Sequence, residues 1–122
     1  MNVESLYQSA RRATSLLKAM GNTRRLLILC QLLRGEKNVG ELEELIGLSQ
    51  SALSQHLARL RKDGLVRTRR SAQTIYYSLA GEEAKAVIST LYSLYCADNP
   101  EMSVAEGRLS PRLASSAQQY ES

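Results

Sequence analysis

The chain of 122 residues has few of the residues on which several classes of protein depend. Two cysteines are too few for the disulfide scaffold of a small secreted protein. With a single histidine, one subunit also offers fewer ligands than the four of a closed zinc site, so thiols from both subunits of a dimer would be needed. The longest apolar run, residues 26–30, is far shorter than the ~20 residues that span a bilayer. The first residues also lack the continuous apolar segment of a signal peptide. These absences predict a cytoplasmic protein with reduced cysteines, no metal and no membrane partner.

Motifs of common enzymes are missing as well. The chain has no G-x-G-x-x-G or P-loop pattern and no recognisable catalytic triad. The glycines at positions 21, 35, 47 and 64 instead follow helical segments, where a residue in the left-handed conformation is favoured. We therefore expect neither an enzyme nor a bound cofactor.

Both prolines lie beyond residue 99, so the earlier part of the chain is compatible with helices. Apolar residues at helical spacing predict a first helix over residues 3–20. A second helix is predicted to run to Leu33 from Asn22 or Thr23, since either residue is a suitable N-cap.

Capping signals predict two further helices. Asn38 and Glu41 have the spacing of a capping box at the start of a third helix, which ends at Gly47. Ser49 is the expected N-cap of a fourth helix that ends before Gly64.

After Gly64 the pattern changes to that of β-strands. The segments "LVRTRR" and "TIYYSL" are rich in β-branched and aromatic residues and predict two short strands joined around residues 71–73. Ile75, Tyr77 and Leu79 are expected on the inner face of the second strand.

A fifth helix over residues 82–96 completes the element order of a winged helix-turn-helix domain. The predicted fold is mainly α, with five helices and a two-stranded β-hairpin wing. We assign residues 1–96 to this DNA-binding and dimerisation domain. Residues 97–122 are predicted to be a disordered tail, with a transient helix over residues 104–113.

Positive charge is concentrated before residue 81. Residues 1–80 carry 13 Lys and Arg against 6 Asp and Glu, whereas residues 81–122 carry 3 against 6. A solvated surface is the ordinary interpretation of such a run. One dense cluster, with Asp63 as its only acid, favours a polyanionic partner. Its cations are Arg59, Arg61, Lys62, Arg67, Arg69 and Arg70.

The segment "LSQSALSQHLARLRKDG" is the most informative of the chain. Leu53, Leu57 and Leu60 recur at helical spacing and are expected to pack inward, which turns small polar side chains outward. Such a face can form hydrogen bonds with base edges in the major groove, whereas Arg and Lys side chains can contact the phosphates. An ordinary amphipathic surface helix is the alternative. The predicted DNA-binding residues are Gln50, Ser51, Ser54, Gln55, His56, Arg59, Lys62, Arg67, Arg69, Arg70, Gln73 and Thr74.

The segments "LLKAMGNTRRLLILC", "LSQSALSQHLARLRKDGLV" and "TIYYSL" resemble the ArsR/SmtB family of bacterial repressors. The resemblance covers about two thirds of the chain, from Leu16 to Cys96. It implies a homodimer that pairs through the first and last helices and represses by occupying an inverted-repeat operator in double-stranded DNA. The alternative for the apolar residues of the last helix is a purely intramolecular core.

Cys30 and Cys96 match the positions of two cysteines in the persulfide-sensing branch of that family. The resemblance implies that one thiol attacks sulfane sulfur and the other captures the product, giving a disulfide or polysulfide bridge. A cysteine on an apolar helical face is otherwise commonly an inert core residue. Lys18, Arg24 and Arg25 are candidate cations for lowering a thiol pKa.

The resulting prediction is a transcriptional repressor that a persulfide or polysulfide inducer releases from its operator. The resemblance further implies regulated genes of sulfide or sulfur oxidation. One alternative is a repressor of the same family with a metal, haem or general oxidant as inducer. The Cys-x-Cys and last-helix histidine ligands of the family's metal sensors are absent here. A second alternative is a winged-helix protein-interaction module.

Overall fold

The computed structural model describes residues 2–96, so the predicted tail lies outside the described residues. The five helices and the two strands of the hairpin follow one another in the predicted order, and a third, short strand lies between the second and third helices. In chain order they are α1 (Val3–Met20), α2 (Thr23–Leu32), β1 (Lys37–Asn38), α3 (Val39–Ile46), α4 (Gln50–Lys62), β2 (Val66–Ser71), β3 (Thr74–Leu79) and α5 (Glu82–Tyr95).

The predicted N-caps are present at all three positions. The Asn22 side chain accepts hydrogen bonds from the backbone N–H groups of Arg24 and Arg25, at 3.0 and 3.1 Å. Asn38 and Glu41 form the capping box of α3, each side chain accepting from the other residue's backbone N–H. Ser49 caps α4 by accepting from the N–H of Ala52. These local hydrogen bonds set where each helix begins.

The glycine prediction holds at Gly47, whose φ of 83° is left-handed, but is wrong at Gly21. Gly21 has a φ of −78° and donates its N–H to Lys18 O at 3.3 Å. The next residue, Asn22, donates to Met20 O at 2.8 Å and already caps α2. Because α1 and α2 are joined this closely, the chain turns without a left-handed residue.

The sheet has three antiparallel strands in the order β1-β3-β2, so the prediction of two strands was incomplete. The predicted hairpin is present, with Val66 opposite Leu79 and Ser71 opposite Thr74. The missed strand β1 has two residues and pairs with Tyr76 and Tyr77 of β3. A segment this short carries no periodicity, and only its partner strand identifies it.

The inner face of β3 also differs from the prediction. Leu79 is buried and Tyr77 half-buried, but Ile75 is 39% exposed. Ile75 lies one residue from the hairpin turn, where the wing extends past the core, so alternation along the strand no longer implies burial.

The core lies around α2. Its fully buried side chains come from four of the helices, and α2 contacts each of the other helices. They include Ile28, Leu29, Leu42, Leu53, Leu57, Leu60 and Ile88. Within residues 2–96, no helix is both long enough and apolar enough to cross a membrane.

Large apolar side chains remain exposed on both terminal helices. Leu6 and Leu17 of α1 are 55% and 60% exposed, and Leu94 and Tyr95 of α5 are 70% and 78% exposed. The alternative of a purely intramolecular core is therefore wrong for Leu94 and Tyr95. Exposed apolar side chains on two helices mark a candidate protein–protein interface.

Candidate DNA-binding surface and thiol pair

The outer face of α4 carries the predicted reading surface. Leu53, Leu57 and Leu60 are at most 1% exposed, which fixes the rotation of α4 about its axis. This rotation turns the predicted outward side chains to solvent, and Arg61 is exposed as well. The predicted ones are Gln50, Ser51, Ser54, Gln55, Ala58, Arg59 and Lys62.

His56 lies between the buried and exposed faces of α4. It is half-buried and interacts with a neighbouring group, so it lies at the edge of the reading face. Its role as a DNA contact stays a prediction.

Two predicted cations have internal carboxylate partners. Arg59 Nε donates to Asp63 Oδ2 at 2.8 Å across one turn at the end of α4. Arg69 Nε donates to Glu36 Oε2 at 3.1 Å, and a second bond joins Arg69 Nη2 to Glu36 Oε1. These hydrogen bonds lower the pKa of Glu36. The Arg69 guanidinium also lies 4.7 Å from the centre of the Tyr76 ring. Arg69 is therefore held and partly neutralised before any DNA arrives.

The other wing residues are arranged differently. Arg67 and Arg70 are exposed, and no ion pair to either is found within residues 2–96. Gln73 is exposed in the hairpin turn, and Thr74 is half-buried at the start of β3. Arg67 and Arg70 are thus the wing cations best placed to reach phosphates.

A groove of about 460 Å³ lies between α4 and the wing, and four of its six lining residues were not predicted as DNA contacts. Two of these four, Arg61 and Tyr77, have polar side chains. Arg61 lines it beside Lys62, and Tyr77 lines it from β3. Arg61 belongs to the cationic cluster of the sequence and could have been included on that signal. No sequence signal marked Tyr77 as a DNA contact, because the strand pattern assigned it to the core.

The two cysteines lie on helices that pack together. Cys30 is half-buried in the last turn of α2, and Cys96 follows the end of α5, where its N–H donates to Tyr92 O at 2.8 Å. Helices α2 and α5 are in contact, and neither cysteine is in a disulfide. The fold thus places two cysteines that are widely separated in sequence on elements that pack together.

Burial raises the pKa of the Cys30 thiol to about 11, and the nearby Cys96 adds to the increase. Burial also raises the pKa of Cys96. The hypothesis that cations lower a thiol pKa is therefore wrong. Arg25 donates from Nε to Ala19 O at 2.7 Å and from Nη2 to Lys18 O at 3.2 Å, so its guanidinium is directed to the end of α1.

A second contact joins α5 to the turn that follows α2. Arg34 Nη2 donates to the Tyr92 hydroxyl at 2.9 Å, and the guanidinium carbon lies 5.9 Å from the centre of the ring. We call this contact of α2 and α5, with Cys30, Arg34, Tyr92 and Cys96, the thiol seam.

Among residues 2–96, no three His, Cys, Asp or Glu side chains are grouped closely enough to hold an ion. The thiol seam offers two sulfur ligands, fewer than a structural zinc site uses.

A helix-turn-helix with a polar outer face, followed by a basic wing, defines a DNA-binding transcriptional regulator of the winged-helix class. Residues 22–68 match the family model described as "Bacterial regulatory protein, arsR family". The chain is 56% identical over 99 residues to "Transcriptional activator HlyU" of Vibrio cholerae, a match that covers 81% of this chain and 92% of that protein. It is 39% identical to a "Biofilm growth-associated repressor" of Xylella fastidiosa, covering 83% and 89% of the two chains.

Solved structures agree with this assignment. The structure of reduced HlyU from Vibrio cholerae matches with a TM-score of 0.75 and 55% identity, covering 77% of this chain and 99% of that one. A homodimeric winged helix-turn-helix domain from Mycobacterium bovis matches with a TM-score of 0.66 and 28% identity, covering 77% and 86%. The chain belongs to the ArsR family of bacterial transcriptional regulators.

Proposed function

We propose that this regulator is a homodimeric, cytoplasmic repressor that senses persulfides through Cys30 and Cys96 and leaves its operator when the two are bridged. The observation that carries the proposal is the thiol seam. Two free thiols on packed helices lie near enough for the charge of Cys96 to oppose ionisation of Cys30.

The exposed face of α4 and the cations of the wing support operator binding. Ser54 and Gln55 present hydroxyl and amide groups suited to base edges, while Arg67 and Arg70 suit phosphates. A homodimer would place two copies of α4 at half-sites about 34 Å apart, which requires an inverted-repeat operator.

The exposed apolar residues of α1 and α5 support the homodimer. Leu6 and Leu17 on α1, with Leu94 and Tyr95 on α5, offer the apolar contact area that an isolated subunit leaves in water. The two helices are those through which the family resemblance implies pairing. Burial of these side chains would also stabilise a small domain.

The proposed chemistry is two successive displacements. A protein thiolate attacks the outer sulfur of a persulfide, RSSH; the S–S bond breaks, RS⁻ leaves and the cysteine becomes a persulfide. The second thiolate attacks the inner sulfur of that group, HS⁻ leaves and a disulfide forms. If a further RSSH first adds its outer sulfur to the cysteine persulfide, the same closing step gives a trisulfide. Each added sulfur lengthens the span that the bridge covers.

We assign the first attack to Cys96. Cys30 is the more deeply buried thiol, and its pKa rises to about 11, so its thiolate is scarce at neutral pH. Cys96 lies at the end of a helix, where a small persulfide has easier access. Cys30 would then complete the bridge.

A bridge between α2 and α5 has a direct mechanical consequence. Helix α2 packs against α3 and α4, and α5 is half of the proposed dimer interface. Tying them together would alter how the dimer spaces its two recognition helices. Since both half-sites must be met at once, a small change in that spacing lowers operator affinity.

Intact mass analysis of the reduced protein tests the proposal. After a persulfide donor we expect loss of two hydrogens, or gain of sulfur less two hydrogens, in the wild type. Neither product should form in the single-cysteine variants. Cys30→Ser should stop at the open persulfide on Cys96, whereas Cys96→Ser, which keeps only the buried thiol, should react slowly. Thiols that remain unmodified in the wild type would contradict persulfide sensing. Induction that survives both substitutions would indicate a different inducer.

A further inference from the structure

We propose that Arg34 is the docking residue for the anionic end of the persulfide, so that the thiol seam selects negatively charged organic persulfides over cationic ones. The inference rests on the persulfide-sensing function proposed above. It adds the chemical class of the inducer and the residue that recognises it.

Contacts with Tyr92 hold the Arg34 side chain in place. The hydrogen bond from Nη2 to the phenol oxygen is 2.9 Å long, and the guanidinium carbon lies 5.9 Å from the ring centre. A long, exposed arginine side chain would otherwise sample many rotamers. The contact keeps its charge against α5.

The held charge lies along the same helix contact as the two thiols. Arg34 follows Cys30 by one turn, and its N–H still donates to Gln31 O, at 3.3 Å. Tyr92 precedes Cys96 by one turn, and its carbonyl accepts the Cys96 N–H. At the end of α5 this spacing places Cys96 next to Tyr92 on the helix surface. Arg34 lies in the turn that follows α2, and its hydrogen bond to Tyr92 places it on the side of α5 that carries Cys96.

The charge of Arg34 also remains available for a ligand. Among residues 2–96, Arg12, Arg59 and Arg69 have carboxylate partners within ion-pair distance, whereas the partner found for Arg34 is a neutral phenol. A guanidinium has five N–H donors, and the bond to Tyr92 uses one of them. The others suit a carboxylate, which arginine binds through two parallel hydrogen bonds.

A purely structural role for Arg34 makes a different prediction. A cation at the end of α2 would interact favourably with the C-terminal carbonyl groups of the helix whatever the ligand. Its removal would then lower stability and affect all persulfides equally. A docking role instead affects the ratio of the reaction rates of anionic and cationic persulfides. This ratio does not depend on the general stability of the protein.

The test measures initial rates of persulfide transfer to the reduced full-length protein by mass spectrometry. Glutathione persulfide is the anionic probe, and the persulfide of cysteamine is the cationic probe. The proteins compared are the wild type, Arg34→Gln, Arg34→Lys and Arg70→Gln. Arg70→Gln is the matched control, because it removes an exposed cation from the wing without touching the thiol seam. Each probe's rate is divided by its rate with the same protein unfolded in denaturant, which cancels intrinsic reactivity.

We expect the wild type to favour the anionic probe by about fivefold. Arg34→Gln should remove the preference, while Arg34→Lys and Arg70→Gln should largely keep it. Raising the salt concentration should weaken the wild-type preference, a measurement that needs no variant to fold.

Failure of this inference differs from failure of the proposed function. Equal corrected rates for the two probes with the wild type, or an unchanged preference in folded Arg34→Gln, would overturn the role of Arg34 and leave persulfide sensing intact. If neither probe modifies the wild type, the proposed function fails, and the docking role falls with it.

Discussion

The reading face of α4 and the thiol seam are both assembled on helices, but by different means. On α4, consecutive turns of one helix place every outward residue, and burial of Leu53, Leu57 and Leu60 fixes the rotation. The thiol seam exists only because two helices distant in sequence pack together. A local pattern thus determines the first region, whereas the second depends on the whole fold. The two regions should therefore respond differently to substitution, solvent and pH.

The largest expected effect comes from a substitution in the hydrophobic core, against which both the reading face and Cys30 pack. Leu57→Ala would leave a cavity beneath α4, in the core around α2, and should lower the free energy of unfolding by about 2–5 kcal/mol. Chemical denaturation measures this loss. Ala58→Ser, on the exposed face one residue away, is the control and should change stability by less than about 0.5 kcal/mol. A small loss for Leu57→Ala would mean that α4 is not anchored as described.

The second effect separates the thiol seam from an ordinary exposed thiol. Burial, reinforced by Cys96, raises the pKa of Cys30 to about 11 from an ordinary value of 9.0. At pH 8 the folded protein should carry about 100-fold less thiolate at Cys30 than the unfolded chain. Alkylation by iodoacetamide, followed site by site by mass spectrometry, should be slower in the folded protein by a similar factor.

The same shift has a consequence for stability. Because the folded-state pKa of Cys30 is raised, its contribution is fully present below the unfolded value and is lost as the pH rises toward about 11. In Cys96→Ser, removal of the neighbouring thiol should lower the pKa of Cys30 slightly. An alkylation profile for Cys30 with its midpoint near the ordinary value would contradict this description of the seam.

A third prediction concerns the reading face. Gln55→Ala should weaken binding to the specific operator by about 1–3 kcal/mol, because the amide can no longer bond a base edge. Binding to unrelated duplex DNA depends on phosphates and should change little. Titration of both duplexes at one salt concentration separates the contribution of base contacts from that of phosphate contacts. An equal loss on both would show that Gln55 does not read sequence.

The smallest effect is expected at the wing. Glu36→Gln removes the carboxylate that neutralises Arg69, so a cation becomes available to phosphate. The slope of log affinity against log salt should become steeper by about one unit. Glu43→Gln, which removes an acid from α3 without touching Arg69, is the control and should leave the slope nearly unchanged. An unchanged slope for Glu36→Gln would place Arg69 away from the DNA.

The contrast between local and long-range structure also explains which features could be predicted from the sequence. Asn38 and Glu41 cap α3 through hydrogen bonds between residues three apart, so the local pattern contains all the required information. The pairing of Arg69 with Glu36 spans 33 positions, and nothing local marks either residue as a partner. The short strand β1 escaped prediction for the same reason.

The thiols show the limit most clearly. The positions of Cys30 and Cys96 could be matched to a family, but the direction of their pKa shifts could not be predicted. Nearby cations in the sequence favoured a lowered pKa, whereas the fold directs Arg25 to the end of α1 and buries Cys30. Burial is a property of the packed structure, so the direction of the pKa shift could not be predicted from the charge pattern of the sequence.

The central claim is that a bridge between Cys30 and Cys96 lowers the affinity of the dimer for its operator. The most direct test measures operator affinity of the reduced protein, before and after a persulfide donor, in the wild type and in Cys30→Ser. Affinity should fall by at least about tenfold in the wild type, return on reduction, and stay unchanged in Cys30→Ser. If mass analysis shows the bridge in the wild-type protein and the protein still binds its operator as tightly as before, the account is contradicted.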